Sequence, residues 1–476
     1  MDQERSAFLT AMIESELEDA VGKENVSTTT ADRLIYGYDC YWLSNHWSAH
    51  GKTPPMADFV VSPGSTEEVS KVLQIANYYR IPVTTVGGTS GTQGGALPVA
   101  GGISLNTKRM NHIVEFDEMS MTVTVETGMI FQQLEWYANE RGYTLNHYPS
   151  AITTATVGGF LAHNGIGVVS TKYGKIIDQC LALEIVIPSG EVLQTAPVPK
   201  HSSGPDLKGM FIGSEGTLGV MTKATFQLFR IPEVRLFRGF LFKNLTEGIA
   251  AGRDMLQEFK PSIIRLYDEA ETVSIIKNIL GVAKPGVFMN IAVDVMQKMA
   301  EMEMERACEI AAEHGAEDLG AEYGKKWWDS RLTFFYPGKF FSYPQMYGTM
   351  DSVAVYSKIE NIYWEMKHAI ESTYKDVRFI AHFSHWYEWG CMIYDRFVMD
   401  RPPEDPIETL KLHNAIWNTG VRTALKNGGV VNDHHGVGLK LGKLMKEQYG
   451  PSMKVFEGLK KTLDPNGIMN PYKLGL

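Results

Sequence analysis

The stretch VTTVGGTSGTQGG at residues 83–95 decides how the rest of the chain is interpreted. Its first four residues are all β-branched, a composition that predicts a short buried strand. Five of the next nine residues are glycine, which is too many for a helix or a strand. Residues 87–95 are therefore predicted to form a loop with accessible backbone N–H groups. Such a loop can bind a diphosphate, because consecutive N–H groups form an anion-binding concavity.

The order of these glycines excludes two common nucleotide-binding motifs. It does not follow the G-x-G-x-x-G spacing of the Rossmann fold, and it lacks the Gly-Lys-Ser/Thr ending of a P-loop. A helix is predicted just before the strand, because residues 65–68 form a capping box and apolar residues recur after it at helical spacing. Short strands and turns follow between residues 102 and 128. The first half of the chain is therefore predicted to mix helices and strands.

Composition narrows the class of protein. The chain has 476 residues, which suggests two or three domains, and a net charge of −10, which argues against nucleic acid as the main partner. Its four cysteines are widely spaced and include no C-x-x-C pair, as expected in a reducing compartment. No apolar stretch approaches the ~18 residues of a membrane helix, and the N-terminus is acidic and polar rather than signal-like. We therefore expect a cytoplasmic protein without an integral membrane segment.

Several motifs taken together resemble one known family. In chain order they are Pro82-Val83, Gly87-Gly88-Thr89-Ser90, Gly101-Gly102-Ile103, Val125-Glu126-Thr127-Gly128, residues 156–159, Lys172-Tyr173-Gly174, residues 213–219 and residues 463–471. They resemble the FAD-binding domain of the vanillyl-alcohol-oxidase superfamily, the p-cresol methylhydroxylase (PCMH) type. The resemblance is greatest to the FAD-linked oxidase branch that contains D-lactate dehydrogenases, the glycolate oxidase flavin subunit and alkylglycerone-phosphate synthase.

This resemblance implies an α+β fold that binds FAD. It implies a two-subdomain PCMH-type FAD-binding domain at residues 1–232, rejoined by the C-terminal segment 430–476. A ferredoxin-like α+β cap at residues 233–429 would carry the substrate site. The residues implied to bind FAD are Gly87, Gly88, Thr89, Ser90, Gly91, Pro149, Ser150, Thr156, Gly158, Gly159, Asn164 and Val220. Some relatives attach the flavin to a histidine in the pyrophosphate loop. Thr89 stands there in this chain, so we expect non-covalent FAD, with attachment from the other domain left open.

Arg265 is the first candidate for substrate binding. It lies at the start of a predicted strand, within Ile264-Arg265-Leu266-Tyr267-Asp268. A guanidinium can bind a carboxylate or a phosphate through two parallel hydrogen bonds. The structural alternative is an ion pair with Asp268 or Glu269.

The second candidate group lies in the stretch HFSHWYEWG at residues 382–390. His382 and His385 could bind a metal, but on a strand they are expected to face opposite sides of the sheet. The metal-binding D-2-hydroxyacid dehydrogenases of the branch carry H-x-G-D-G-N-x-x-H here, and the Gly-Asp-Gly-Asn core is absent. The stretch instead resembles the S-H-x-Y-x-x-G-A segment of alkylglycerone-phosphate synthases, with Cys391 replacing the alanine. We predict no metal, and we take His385 and Tyr387 as catalytic candidates.

The third candidate group is Asp433-His434-His435-Gly436. D-lactate and glycolate relatives carry Glu-His-Gly at this position, and the synthases carry three histidines. Imidazole titrates near neutral pH, so a loop histidine that faces the flavin can abstract a proton. His435 aligns with the histidine that both subfamilies share, and His434 is its neighbour. The alternative is a hydrogen-bonded pair that fixes the final segment to the domain.

Aromatic residues are concentrated between residues 327 and 347. The nine are Trp327, Trp328, Phe334, Phe335, Tyr336, Phe340, Phe341, Tyr343 and Tyr347. A core cluster is the ordinary explanation, because aromatic side chains dominate cores. An apolar channel for an aromatic or long-chain substrate is the alternative.

These features predict a FAD-dependent oxidoreductase. A 2-hydroxy acid or an alcohol is oxidised at its hydroxyl-bearing carbon by hydride transfer to flavin N5. His435 or His434, or Tyr387, removes the hydroxyl proton, and Arg265 orients an acidic group. The alternative is a non-redox alkyl transferase that resembles alkylglycerone-phosphate synthase. The expected partner is a small molecule rather than nucleic acid, the electron acceptor is left open, and a homodimer is expected.

Overall fold

Helices and strands alternate along residues 3–332 and 344–476, which the computed structural model describes. The strands are β1 (Val26–Ser27), β2 (Phe59–Val61), β3 (Val83–Val86), β4 (Ile103–Asn106), β5 (Ile113–Asp117), β6 (Thr122–Glu126), β7 (Tyr143–Thr144), β8 (Cys180–Val186), β9 (Val192–Gln194), β10 (Val220–Gln227), β11 (Phe229–Arg230), β12 (Val234–Phe242), β13 (Ile263–Tyr267), β14 (Val287–Val295), β15 (Glu317–Gly320), β16 (Met346–Val355), β17 (Arg378–Tyr387) and β18 (Gly390–Met399). The α-helices are α1 (Gln3–Val21), α2 (Thr30–Ile35), α3 (Trp42–Ala49), α4 (Thr66–Tyr79), α5 (Phe131–Asn139), α6 (Val157–Ala162), α7 (Ser170–Tyr173), α8 (Ile176–Gln179), α9 (Leu207–Phe211), α10 (Leu245–Glu258), α11 (Glu269–Glu271), α12 (Lys277–Leu280), α13 (Gln297–Glu313), α14 (Glu322–Ser330), α15 (Tyr356–Thr373), α16 (Pro406–Lys426), α17 (Gly442–Tyr449) and α18 (Met453–Leu463). The predicted α+β class is therefore confirmed.

The glycine loop lies where the sequence predicts it, after a short buried strand. β3 pairs in parallel with β4, and the loop lies between them along the chain. Helix α4 precedes β3 and begins at Ser65, whose side chain accepts a hydrogen bond from the Glu68 amide. Val69, Val72 and Leu73 of α4 are fully buried, so one face of the helix packs into the core beside β3 and β4. The loop therefore extends from a well-packed base.

Strands β1–β11 form three small sheets in the first half of the chain. The sheet with the glycine loop has the order β1-β2-β4-β3, a second has the order β5-β6-β10-β8-β9, and β7 pairs with β11. The first two are packed against helices over separate apolar cores, and Tyr143 of β7 belongs to the core of the second. Two adjacent subdomains of this kind are what the resemblance implies for the FAD-binding domain.

Strands β12–β18 form a single sheet with the order β15-β12-β14-β13-β17-β18-β16. Every pairing is antiparallel. Side chains alternate between its two faces. One face, which includes Leu266, Phe383 and Ile393, packs in the core formed with α10, α13, α15 and α16. The other face carries polar side chains opposite the glycine loop, so this sheet brings the two halves of the chain together.

The C-terminal segment returns to the strand that carries the glycine loop. The Val83 amide donates to the Ile468 carbonyl at 2.7 Å, and the Asn470 amide donates to the Val83 carbonyl at 2.8 Å. This pairing covers the open edge of the sheet at β3. The Asn470 side chain also donates to the carbonyl groups of Gly95 at 3.0 Å and Glu215 at 2.6 Å. These contacts are our reason for proposing that residues 430–476 belong to the FAD-binding domain.

Six of the aromatic residues singled out in the sequence lie outside the described residues. They are Phe334, Phe335, Tyr336, Phe340, Phe341 and Tyr343.

No helix in the described part of the chain is long and apolar enough to cross a bilayer.

We expect Asn470→Ala to lower the free energy of unfolding by about 1–3 kcal/mol, because two carbonyl groups lose their donor. Denaturant unfolding followed by tryptophan fluorescence measures the change. Asn466→Ala is the matched control, since Asn466 donates to Asn77 on the exposed surface at 2.8 Å. An equal decrease in the free energy of unfolding in both variants would show that the Asn470 side-chain hydrogen bonds do not stabilise the fold more than a surface contact does.

Candidate active site

A cavity of about 670 Å³ lies between the glycine loop and the polar face of the sheet formed by β12–β18, which is called the cap sheet below. This size is typical of small-molecule and cofactor sites. All of the predicted FAD-binding and catalytic residues line it except Asn164 and Tyr387. Asn164 lies two residues after α6 in left-handed backbone conformation, with φ at 52°. The fold thus brings together residues from both halves of the chain and from the C-terminal segment.

The glycine loop packs too closely on the segment before α6 to tolerate side chains at two positions. A Cβ on Gly87 would lie 2.1 Å from Thr156 Oγ1, and one on Gly88 would lie 1.9 Å from the Thr154 carbonyl oxygen. Thr156 is itself fixed, because its hydroxyl accepts a hydrogen bond from the Gly159 amide at 3.2 Å. The loop therefore presents its backbone, rather than side chains, to the cavity at this point. A diphosphate is the kind of group that such a backbone cradle fits.

One face of the cap sheet forms the floor of the cavity. His382 on β17 lies opposite Tyr394 on β18, and Arg396 on β18 lies opposite Thr349 on β16. Residues opposite each other in antiparallel strands share a face. Arg265 on β13 completes this row, and all five residues line the cavity. The floor therefore spans four neighbouring strands.

His382 and His385 both line the cavity, so the expectation that they face opposite sides of the sheet is wrong. The register of β17 against β18 shifts between Phe383 and His385. Such a β-bulge places two residues opposite one and changes which face the following side chain occupies. The residue spacing in the sequence does not reveal the bulge, because it depends on pairing with β18.

The guanidinium of Arg265 has no carboxylate partner within 4 Å among the described residues. Its Nη1 lies 3.5 Å from His382 Nε2, its guanidinium carbon lies 4.9 Å from the Trp327 ring centroid, and its Nε is buried without a hydrogen bond. The alternative of an ion pair with Asp268 or Glu269 is not observed. Asp268 instead accepts hydrogen bonds from the Tyr363 hydroxyl at 2.9 Å and the Ala381 amide at 3.0 Å. Arg265 is thus available for an anion.

A buried group beside Arg265 was missed by the sequence analysis. Glu271 forms an ion pair with Arg396, and His382 Nδ1 lies 3.1 Å from Glu271 Oε2. Burial would raise the pKa of Glu271, but Arg396 and His382 outweigh it and hold the pKa at about 2. Burial lowers the pKa of His382 to about 4, so its ring is neutral at neutral pH. The alternation of side chains along β18 could have predicted that Arg396 shares a face with Tyr394. It could not have predicted that Arg396 pairs with Glu271.

The two loop histidines share one carboxylate, that of Asp351 on β16. His434 Nδ1 lies 3.1 Å from Asp351 Oδ2, and His435 Nδ1 lies 3.1 Å from Asp351 Oδ1. The amides of Asp433 and His434 also donate to Asp351 Oδ2, at 3.0 and 3.1 Å. Burial would raise the pKa of Asp351, but His435 and His434 outweigh it and hold the pKa well below its usual range. Asp351 is therefore ionised, and no motif in the sequence connects it to residues 434 and 435.

Tyr387 does not reach the cavity. Its hydroxyl donates to Asp433 at 3.0 Å, and Lys175 Nζ lies 2.7 Å from the same carboxylate oxygen. Burial, together with the charge of Asp433, raises the pKa of Tyr387 well above its ordinary value. The side chain is thus placed to hold the histidine loop rather than to accept a proton from a substrate.

Two groups of side chains among the described residues could hold a metal ion. They are Asp351 with His434 and His435, and His385 with Asp433 and His434; the ligand atoms in each group lie within 4.8 Å of one another. Imidazole and carboxylate donors suit several divalent metals. The absence of a metal therefore stays a prediction, which metal analysis of the purified protein can test.

The comparison with known families identifies the fold and the cofactor. Residues 57–196 match the FAD binding domain family, and residues 231–474 match the C-terminal domain family of FAD linked oxidases. The chain belongs to the FAD-linked oxidases. FAD is therefore the cofactor of this FAD-linked oxidase, and the crowded glycine cradle agrees with that assignment.

Relatives support the predicted branch of the family. YgcU of Escherichia coli strain K12, an uncharacterized FAD-linked oxidoreductase, is 30% identical over 97% of this chain and 97% of its own. A probable mitochondrial D-lactate dehydrogenase of Danio rerio is 28% identical over 99% of this chain and 93% of its own. The alkyldihydroxyacetonephosphate synthase of Dictyostelium discoideum is 27% identical over 89% of this chain and 74% of its own. The predicted resemblance is confirmed.

Solved structures confirm the PCMH-type fold. A structure of alkyldihydroxyacetonephosphate synthase has a TM-score of 0.80 and 24% identity, and covers 97% of this chain and 85% of its own. A structure of p-cresol methylhydroxylase with substrate bound has a TM-score of 0.78 and 20% identity, and covers 98% of this chain and 96% of its own. At these identities the likeness concerns the fold alone.

We expect Gly88→Ala to weaken FAD binding by roughly 10- to 100-fold, because the new methyl group overlaps the Thr154 carbonyl and forces the loop to move. Reconstitution of the apoprotein, followed by flavin absorbance, measures the affinity. Gly458→Ala is the control on helix α18, away from the cavity, where an added Cβ meets no atom within 4 Å. Equal FAD affinity in both variants would contradict the role of the cradle.

Proposed function

We propose that this FAD-linked oxidase oxidises the hydroxyl-bearing carbon of an anionic substrate, with a 2-hydroxy acid as the simplest example. The observation that carries the proposal is the position of two groups in the FAD cavity. Arg265 supplies a guanidinium that has no carboxylate partner in the described part of the chain, and the pair His434 and His435 supplies imidazoles. An anion-binding group and a base in one cavity suit an acid with an adjacent hydroxyl group.

Arg265 would bind the substrate carboxylate. A guanidinium offers parallel N–H donors that match the two oxygens of a carboxylate. Trp327 packs against it and is fixed by a hydrogen bond from its Nε1 to the Tyr267 hydroxyl at 2.7 Å. This support favours one orientation of the guanidinium, which fixes the substrate by its acidic end. Trp327 thus fits the core explanation of the aromatic cluster, while Tyr347 lines the cavity.

His435, with His434 beside it, would accept the hydroxyl proton. Burial, and then the neighbouring His435, lower the pKa of His434, so its ring is neutral and able to accept a proton. The Nδ1 atoms of both rings face Asp351, which leaves Nε2 for the substrate. The ionised Asp351 would stabilise the imidazolium that forms. FAD, when bound, supplies the hydride acceptor at N5.

The alternative function is a non-redox alkyl transfer like that of the synthases. Two observations favour it: the identity with the Dictyostelium discoideum synthase over 89% of this chain, and an Asp-His-His run close to the three histidines of that subfamily. The transferase function requires a site near Arg265 that binds the phosphate group of the substrate. A second arginine in the cavity lining, Arg396, is already paired with Glu271, which favours the oxidation.

Anaerobic titration of the purified holoenzyme distinguishes the two functions. We expect at least one member of a panel of D-2-hydroxy acids and small alcohols to bleach the flavin absorbance, because oxidation reduces the cofactor. Turnover of an acylated substrate with a fatty alcohol, without any bleaching, would instead establish the transferase.

Acid precipitation of the same sample tests the proposal of non-covalent FAD: yellow colour in the supernatant is expected, and colour retained in the pellet would contradict it.

We expect His435→Ala to lower the rate of flavin reduction by at least about 100-fold while FAD remains bound, because the variant lacks the proposed base. Stopped-flow absorbance measures the rate, and the flavin-to-protein ratio measures cofactor content. His368→Ala, at an exposed position on α15, is the control and should match the wild type. A normal rate in His435→Ala would remove His435 from the mechanism.

A further inference from the structure

A second cationic side chain lines the cavity on the side opposite to Arg265. We infer that Lys440 forms a second anion subsite, so that the substrate carries an anionic group at each end. This inference rests on the proposed function, because it extends the substrate class from a 2-hydroxy acid to one with a distal carboxylate or other anion. Nothing in the motifs of the sequence pointed to Lys440.

The contacts of Lys440 do not account for its charge. Its Nζ donates to the Thr349 carbonyl at 3.3 Å and lies 4.5 Å from the Trp417 ring centroid. In the described part of the chain, no carboxylate lies within ion-pair distance of it. Arg396, another cation in the cavity lining, differs in this respect because it is paired with Glu271. An ammonium without an anion in a cavity wall is a natural partner for a negatively charged ligand.

Burial gives a second reason to expect a ligand at this position. It lowers the pKa of Lys440 to about 7, although Asp351 and Asp395 act in the opposite direction. Desolvation therefore disfavours the charged form in the free protein. An anion in contact with the ammonium would restore the charged form and stabilise the complex. A lysine suits this role because its ammonium is a compact point charge with three donors.

The strand order separates the two cations. Arg265 lies on β13, and Lys440 contacts Thr349 on β16; β17 and β18 lie between these strands. Three strand spacings correspond to roughly 14 Å between the backbones. The strands between them carry His385 on β17 and Tyr394 on β18, whose rings lie 5.1 Å from His434 and 5.2 Å from His435 between ring centroids. An elongated substrate with both ends charged would thus place its middle beside the proposed base.

Ligand titration tests the subsite without requiring turnover. The probes are α,ω-dicarboxylates of four to ten carbons and the monocarboxylates of equal length, and perturbation of the flavin absorbance reports binding to the holoenzyme. At the best length, we expect the dicarboxylate to bind at least about 10-fold more tightly than the monocarboxylate, as expected for one hydrogen bond to a charged group. In Lys440→Met this ratio should fall to about 2-fold or less, with monocarboxylate affinity unchanged.

Two further variants complete the test. Lys440→Arg keeps the charge and should keep the preference for dicarboxylates. Lys443→Met is the matched control at an exposed position on α17 and should keep the wild-type ratio. The inference is overturned if no chain length shows a preference, if Lys440→Met weakens both ligand types equally, or if it loses FAD. A preference that depends on Lys440 in a protein that oxidises nothing would leave the subsite standing and remove the proposed function.

Discussion

The loop at residues 433–438, which carries the histidine pair, is held between two buried carboxylates, and the site depends on this clamp. Asp351, from the cap sheet, accepts hydrogen bonds from the amides at the start of the loop. Glu215, from the FAD-binding half, accepts them from the amides of Val437 and Gly438 at its end, the latter at 2.7 Å. A buried carboxylate that lost these donors would be costly. The loop is therefore positioned only when both halves of the chain are packed together.

The pKa values of the two carboxylates of this clamp are shifted in opposite directions. Burial raises the pKa of Glu215 to about 7, despite its hydrogen bonds from the loop amides. Asp351 stays ionised, because the adjacent imidazoles outweigh its burial. The cap thus supplies the fixed negative charge beside the histidines, and the FAD-binding half supplies the backbone cradle. The wall of the cavity that binds the anionic cofactor is thus separate from the ionised carboxylate beside the histidines.

Local sequence patterns predicted the structural elements whose conformation is set by residues close to one another in the sequence. The glycine loop, the N-cap at Ser65 and the strand Val83–Val86 all appear where their patterns place them. Features that depend on pairing between distant strands were not predictable. The bulge in β17 is set by its register with β18, and it reverses the face expected for His385. The link from Asp351 to the histidine pair spans more than eighty residues of chain, so no spacing rule could have found it.

The amino-acid sequence by itself determined the FAD-linked oxidase family, the α+β class and the part of the cavity lining that the glycine loop and the histidine pair supply. It could do so because glycines, caps and strand patterns act over a few residues, and because their order along the chain is specific. Only the tertiary structure decided the pairing of charges in the site: Arg396 is paired with Glu271, whereas Arg265 and Lys440 have no carboxylate partner among the described residues. Pairing depends on which side chains meet across the sheet, and burial then sets the pKa of each group. Both are properties of the folded chain.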